Sequence, residues 1–509
     1  MATFFNSPFC CILFSTLLFL HIFFLYSLSE YQNYIITYSS LFSLDYHNIN
    51  DQNHSLDLKN AQISHSSSPT YGFLSNTSNI TNGTSINGTG SSSLITTIST
   101  TNNYPDNHHG RDNKQNKKRS LKILEEGLAR ARAAIIQATR THVLNHNTSG
   151  KEDFKFISKR SIYRNQDAFY QSHIEMEKRF KVWTYKEGDL PLVHEGPLNN
   201  IYSTEGQFID EMESGASRFS AQHPDQAHVF FLPFSVARLR RFVFKPEPSL
   251  PQDRLNWFVT DYIRVISSRY PFWNRSAGAD HFMVSCHDWG PNISIGRPEL
   301  FKNFIRVLCN ANTSEGFLPE RDVSLPEVKL PFGQLTLPKL GVPPSERSIL
   351  AFFAGRVHGR IRKVLMKHWK DKDDEVQVYE YLPKSQSYAK KMGQSKFCLC
   401  PSGWEVASPR VVESIFAGCI PVIMSTSYLL PFSDVLDWSQ FSVTIPVQKI
   451  PMIKDLLKSI SVSEYTKIHR RLKQVQRHFT VNRPSKRFDL IRMVLHSVWL
   501  RRLNVGLIS

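Results

Sequence analysis

"FCLCPSGWEVASPRVVESIFAGCIPVIMSTSYLLPFSDVLDW", residues 397–438, holds two apolar runs separated by a short segment that opens on Ser-Pro-Arg and closes on Gly-Cys. Ser408 is a good N-cap, Pro409 suits the first helical position, and Gly418 can end the helix in the left-handed conformation. The spacing therefore predicts a helix of about ten residues between two buried strands, "KFCLCP" and "CIPVIM". Its free N–H groups, its dipole and Arg410 in the first turn make its start an anion site. Glu413 shares a side with Arg410 at i,i+3, so it either pairs with Arg410 on a wet face or serves a ligand.

Outward from this unit the pattern repeats. "SILAFFAG", "VQVYEYL" and "FSVTIP" read as further strands of the same half, and "FKVWTY", "AHVFFLPF" and "HFMVSC" as strands of an earlier one, with helical-period segments between them. Strands alternating with helices imply parallel α/β sheets. The proline-rich stretch 324–346 reads as the crossing between two domains. Boundaries follow: an N-terminal Rossmann-like domain at 161–330, a linker at 331–346, and a C-terminal domain with closing helices at 347–509. A ligand cleft is expected between them, at the carboxyl ends of the strands.

The 509 residues carry 61 Lys and Arg against 44 Asp and Glu, a formal charge of +17, which favours an anionic partner. Near the N-terminus, Phe9–Leu28 is a twenty-residue apolar run, the length a spanning helix needs. It reads as an uncleaved signal-anchor behind a short cytoplasmic tail (1–8), with a cleaved signal peptide as the rival. Residues 29–160 read as a luminal stem, rich in Ser, Thr and Asn up to about 116, that cannot build a core. Within it, a helix at 120–142 carries Leu121, Leu124, Leu128, Ala131, Ile135 and Ala138 at alternating steps of three and four. That seam suits self-association and packing on the body equally. Asn-x-Ser/Thr sequons stand at Asn53, Asn76, Asn79, Asn82, Asn87, Asn147, Asn274, Asn292 and Asn312. A glycosylated luminal body argues against nucleic acid as the anionic partner. Cys10 and Cys11 lie in the apolar run; the other five cysteines are odd in number, so at least one has no partner in the chain.

Two more motifs carry chemistry. In "AFFAGRVHGRIR" a buried strand ends at Gly355, and Arg356, Arg360 and Arg362 follow where, with backbone amides, they can neutralise a phosphate group. In "HFMVSCHDWGP", His287 and Asp288 follow a strand directly, at a cleft edge where they can take a proton as general bases. Their plain alternatives are a backbone contact and a turn cap. The basic segment 467–492 is a solvated face or attracts an acidic glycan.

Taken together, residues 397–446, with "FFLPFSV", "DHFMVSCHDWGP", "FFAGRVHGRIR" and "KRFDLIR", resemble the exostosin-like glycosyltransferases, the plant family 47 enzymes. The resembling blocks span about 165–505. The resemblance implies an α/β GT-B fold, a type II Golgi anchor and transfer of a sugar from a nucleotide diphosphate, a UDP-sugar, to a cell-wall polysaccharide or glycoprotein glycan with inversion. It gives Gly403, Ser408, Arg410 and Glu413 to the donor, Glu413 at the ribose hydroxyls, and Arg356 and Arg360 beside them. No metal or other cofactor is expected, and the catalytic pair is His287 and Asp288. Many relatives carry an acidic residue after the strand matching "CIPVIM", where this chain has Ser425 and Thr426. The alternative function is a non-catalytic glycan-binding or scaffold member of a synthase complex.

Overall fold

The computed structural model describes residues 110–148, 162–243, 253–331, 335 and 341–507. The segment read as a signal-anchor, most of the stem, the sequons from Asn53 to Asn87 and half of the linker lie outside them. Among the described residues no helix is long and apolar enough to cross a membrane.

Among the described residues ten parallel strands form two sheets. The first joins β1 (Val182–Thr184), β2 (Val229–Phe231), β3 (His281–Ser285), β4 (Ile305–Leu308) and β5 (Val323–Ser324). The second joins β6 (Ile349–Ala354), β7 (Val376–Tyr379), β8 (Ser395–Pro401), β9 (Ile420–Met424) and β10 (Val443–Thr444). Every residue of β2, β3, β6 and β9 is buried, which is why these strands read as unbroken apolar runs instead of alternating ones.

The two sheets differ in order. The second runs β10-β9-β8-β6-β7, so the direction of travel reverses between β6 and β8, the doubly wound arrangement. The first runs β1 to β5 in chain order with no reversal. The Rossmann-like reading of the first domain is corrected to that extent.

β4 is hidden in the sequence by Arg306. Its guanidinium, 3% exposed, is neutralised by fully buried Asp322 and also donates to the Ser294 hydroxyl at 2.8 Å and the Gly316 carbonyl at 2.6 Å. The pairing lets a charged residue sit inside a buried strand.

Two boundaries move. The closing helix Leu490–Leu503 does not stay with the second sheet but packs against β4 and β5 of the first. Trp499, fully buried, sets its ring 5.4 Å from Phe180, while Arg502 donates to the His228 carbonyl at 2.8 Å and Arg501 to the Asp322 carbonyl at 2.7 Å. The stem helix is longer than expected, Gly110–Thr148, and its seam faces the chain's own body. Leu128 and Ala131 are fully buried, Arg132 donates to the Leu503 carbonyl at 2.6 Å, and Glu125 pairs with Arg502. Leu128 and Ala131 of the seam are thus buried within the chain itself.

The cysteine count resolves as Cys286–Cys309 and Cys398–Cys419, with Cys400 buried and unpaired. Of the sequons within the described body, Asn274 is exposed and Asn292 half-buried. Asn312 is turned inward, 5% exposed, and its carbonyl accepts from the Ser314 backbone at 3.1 Å and hydroxyl at 2.7 Å. A glycan on Asn312 conflicts with that packing. Asn147 lies on the stem helix.

Candidate active site

A doubly wound sheet offers its crevice where the strand order reverses, outside the carboxyl ends of the strands there. Here these ends are Ala354 of β6 and Pro401 of β8, and a guanidinium sits on each. Arg410 donates to the Ala354 carbonyl at 3.0 Å and the Ser408 hydroxyl at 3.2 Å, with its charge 4.7 Å over the Phe353 ring. Arg362 donates to the Pro401 carbonyl at 3.4 Å and lies 6.0 Å over the same ring. Burial, reinforced by Arg410, pushes the Arg362 pKa down to about 10.

Neither arginine forms an ion pair among the described residues, and the Arg410 Nε is buried without a partner. Two half-buried cations therefore stand at the strand ends without a carboxylate in direct contact.

Glycines make room for this packing. A Cβ on Gly355 would meet Arg410 Nη2 at 2.9 Å. A Cβ on Gly359, at φ +79°, would meet the Gly403 carbonyl oxygen at 2.1 Å, so the turn after β6 and the loop after β8 touch backbone to backbone. Arg356 reaches the Tyr381 ring at 5.8 Å. Arg360 is exposed on the Gly359–Trp369 helix, so the inward position belongs to Arg362, two residues on.

The predicted Ser-Pro-Arg helix is Pro409–Ala417, with the Ser408 side chain accepting from the Arg410 N–H and Gly418 left-handed at φ +66°. Glu413 does not pair with Arg410. Arg410 reaches back to β6, while Glu413 accepts from the Tyr388 hydroxyl at 3.0 Å on the wall of a cavity of about 590 Å³. Gly341, Val342, Met392 and Gly393 complete much of that wall. Burial raises the Tyr388 pKa, so the phenol stays neutral and donates.

The first sheet presents its own strand ends to the same cleft. His287 and Asp288 follow β3, Asn310 follows β4 and Glu327 follows β5. Asp288 accepts from the Tyr202 hydroxyl at 3.2 Å, and burial raises its pKa against that bond. His287 is held neutral: burial and nearby Arg240 push it down to about 4. Its Nδ1 accepts from the Trp289 backbone N–H at 3.1 Å, which puts the ring proton on Nε2. In that state the ring donates at Nε2 and has no site left to take a proton.

The two faces meet at Asn310. Its Nδ2 donates to Glu405 Oε2, in the loop after β8, at 2.6 Å, and to the Asp288 carbonyl at 3.3 Å. Burial, then Asp288 and Glu315, push the Glu405 pKa up to about 7. Glu327, 4% exposed, is raised well above the usual carboxyl range by burial and then by Asp288 and Glu405.

Sequence reading missed Asn310, Glu327, Glu405 and Tyr202. The signal for Asn310 was an apolar strand masked by Arg306, and Glu327 lay in a stretch read as the start of the crossing. Ser425, where relatives are expected to be acidic, follows β9 with its hydroxyl buried and unpartnered. Part of the basic C-terminal segment is used internally, Arg477 on Tyr163, Arg483 on Asp210 and Gln207, Arg487 on Glu177, while Arg470, Lys473 and Lys486 are exposed.

The described chain can now be set beside known proteins. Residues 176–460 match the Exostosin GT47 domain. The Arabidopsis thaliana "probable glycosyltransferase At5g03795" is 48% identical over 412 residues, 81% of this chain and 78% of its own length. A second Arabidopsis "probable glycosyltransferase", At5g25310, is 51% identical over 76% of this chain and 79% of that one. More distant is the Arabidopsis "probable glucuronoxylan glucuronosyltransferase IRX7", 27% identical over 64% and 77%. Solved structures are only distantly alike: Anabaena HepE, determined in complex with UDP, aligns over 62% of this chain and 97% of its own at TM-score 0.31 and 11% identity. The fold therefore rests on this chain's own strands, and on its sequence the chain belongs to the exostosin GT47 family of glycosyltransferases.

Proposed function

We propose that the chain transfers a sugar from a UDP-sugar to a hydroxyl of a cell-wall polysaccharide or glycoprotein glycan, with inversion, using a GT-B arrangement of its two sheets. The observation that carries this reading is the pair of guanidiniums without a salt bridge, Arg362 and Arg410, at the switch point of the second sheet. Half-buried cations with no carboxylate in contact call for an anionic ligand, and a diphosphate supplies one. The helix start at Ser408 and Pro409 adds its N–H groups, and Arg356 stands beside it. The adjoining cavity takes the nucleoside, with the Glu413 carboxylate facing the ribose hydroxyls.

The acceptor enters from the first sheet's side. Asp288 takes the proton of the attacking hydroxyl as that oxygen bonds to the anomeric carbon. The bond to the diphosphate breaks on the opposite face, and the departing oxygen keeps the electron pair under the field of the arginines. Because the guanidiniums already supply the positive charge, no metal is assigned. His287, donating at Nε2, positions the acceptor instead of acting as base.

The polysaccharide reading draws support from the relative named for glucuronoxylan. Placement as a type II protein of the Golgi lumen draws support from the apolar run Phe9–Leu28 and from two cystine bridges, which suit an oxidising compartment. The test is UDP release by the membrane-extracted full-length chain, across UDP-sugars and with plant glycan acceptors. A chain that binds UDP and glycan yet never releases UDP would instead be the non-catalytic scaffold member.

A further inference from the structure

The turn that carries His287 and Asp288 leans on the start of the helix Ser203–Glu213. Tyr202 stands at the cap position of that helix, yet its side chain caps nothing there. Its hydroxyl donates to Asp288 Oδ2 at 3.2 Å, and its ring lies 4.9 Å from the His287 imidazole, tilted by 35°. A single residue so touches both members of the pair. Among the described residues this is the one hydrogen bond that the Asp288 carboxyl accepts. Three residues on, at the spacing that brings side chains to one face, stands Glu205, fully buried. Its Oε2 accepts from the Cys286 backbone N–H at 2.9 Å, while Oε1 accepts from the Ala237 N–H at 3.2 Å and from the Ser235 hydroxyl. Cys286 immediately precedes His287. The turn is therefore anchored at its root by Glu205 and at its tip by Tyr202.

The two residues between them bind the next turn along the sheet. Thr204 donates to the Pro326 carbonyl at 3.0 Å and Ser203 to the Val328 carbonyl, on either side of Glu327. Both are fully buried. Ser, Thr and an acid at a helix start ordinarily serve the free N–H groups of their own helix. Here these side chains reach other segments instead. Buried hydrogen bonds of this kind are costly to leave unmade, so the set fixes where the joined segments lie.

We propose that Tyr202 and Glu205 are positioning residues for sugar transfer: Glu205 fixes the backbone of the turn after β3, and Tyr202 fixes the Asp288 carboxylate and the His287 ring upon it. The assignment rests on the reading of Asp288 as the base. A general base works when its oxygen is held within hydrogen-bond reach of the hydroxyl it deprotonates. The Tyr202 bond restrains rotation of the carboxylate, taking up Oδ2 and leaving Oδ1 for the acceptor's proton. Burial raises the Tyr202 pKa, so the phenol keeps its own proton and remains a donor.

The test uses the full-length chain in detergent. Turnover is read as UDP released from UDP-glucose, UDP-galactose, UDP-xylose and UDP-glucuronic acid, with xylan and xyloglucan oligosaccharides as acceptors, and UDP affinity by titration. Tyr202→Phe keeps the ring against His287 and deletes only the hydroxyl. It should lower kcat about tenfold, the weight of a hydrogen bond to a charged group, with UDP affinity unchanged. That hydroxyl favours the charged carboxylate, so its loss should also move the acid limb of the kcat–pH profile to higher pH. Placed on Asp288→Asn, the same substitution should cost less than about twofold more, since no base remains to be positioned. Glu205→Gln leaves one acceptor oxygen for two backbone N–H groups. It should likewise lower kcat at unchanged UDP affinity and be silent on the Asp288→Asn background. Should that buried substitution not fold, Tyr202→Phe decides alone. Equal losses in both backgrounds would reduce the contacts to packing and overturn the assignment. Full turnover in Tyr202→Phe beside a depressed Asp288→Asn would overturn it too. Full turnover in Asp288→Asn itself would overturn the reading of Asp288 as base, and this assignment with it.

Discussion

Asn310 and Glu405 are 95 residues apart, stand on different sheets, and meet at 2.6 Å across the cleft. The amide N–H of Asn310 goes to a carboxyl that its surroundings keep partly protonated near neutral pH, and its second contact is the backbone of Asp288. One side chain thus ties the loop after β8 to the turn that carries the candidate base. Asn310→Ala should lower turnover while leaving UDP affinity within about twofold. It should also cost about 1–3 kcal/mol of stability, as for a buried acceptor left without its donor. Steady-state kinetics beside urea unfolding check both, and unchanged turnover would reduce the contact to packing.

Glu405 also sets a pH dependence. Its carboxyl is raised from an ordinary 4.5 to about 7, so between those values the folded state holds more proton than the unfolded one. Stability from this group is present in full below about pH 4.5 and is lost as pH rises through about 7. Glu405→Gln removes the dependence, so the difference in melting temperature between variant and parent should shift in the variant's favour from pH 5 to pH 7.5. A difference constant over that range would mean the carboxyl is not held protonated.

At the nucleoside cavity, Glu413→Gln keeps the shape and removes the charge. UDP affinity should weaken by about 1–3 kcal/mol, the scale of a lost charged hydrogen bond. Tyr388→Phe should give a smaller loss, since it deletes only the donor that orients the carboxylate. Isothermal titration with UDP separates the two, and normal affinity in Glu413→Gln would remove this residue from the donor site.

For the chemical step, Asp288→Asn should depress turnover by about 10²–10⁴-fold with UDP binding intact, as expected when a general base is lost. His287→Gln should cost far less, because the imidazole donates and a side-chain amide can donate too. Equal losses in the two variants would return His287 to the role of base.

Arg306 and Asp322 offer a stability test away from the cleft. Asp322→Ala leaves a guanidinium that is 3% exposed without its counter-charge. Breaking such a pair from one side typically costs about 3–5 kcal/mol. Denaturant unfolding should show it, and a loss below about 1 kcal/mol would mean that the Ser294 and Gly316 contacts carry the charge alone.

What the sequence determined by itself is local. The strands of the second half, the Ser408 cap, the Gly418 stop and the placing of His287 and Asp288 at a strand end all follow from periodicity and capping, which depend on neighbours a few residues away. The odd cysteine was countable too, and the pairing was not, because any pairing of those five needs two distant segments to meet. The tertiary structure decided everything that joins the halves. Arg410 turns to β6 instead of pairing with Glu413 three residues on, because the Ala354 carbonyl and the Phe353 ring are nearer in space. Leu490–Leu503 returns to the first sheet because β4 and β5 leave an apolar face that must be covered. Glu327 and Glu405 look like ordinary surface acids along the chain. Only the approach of the two sheets strips their water and sets them beside Asp288, and that loss of solvent is what makes them candidates for chemistry.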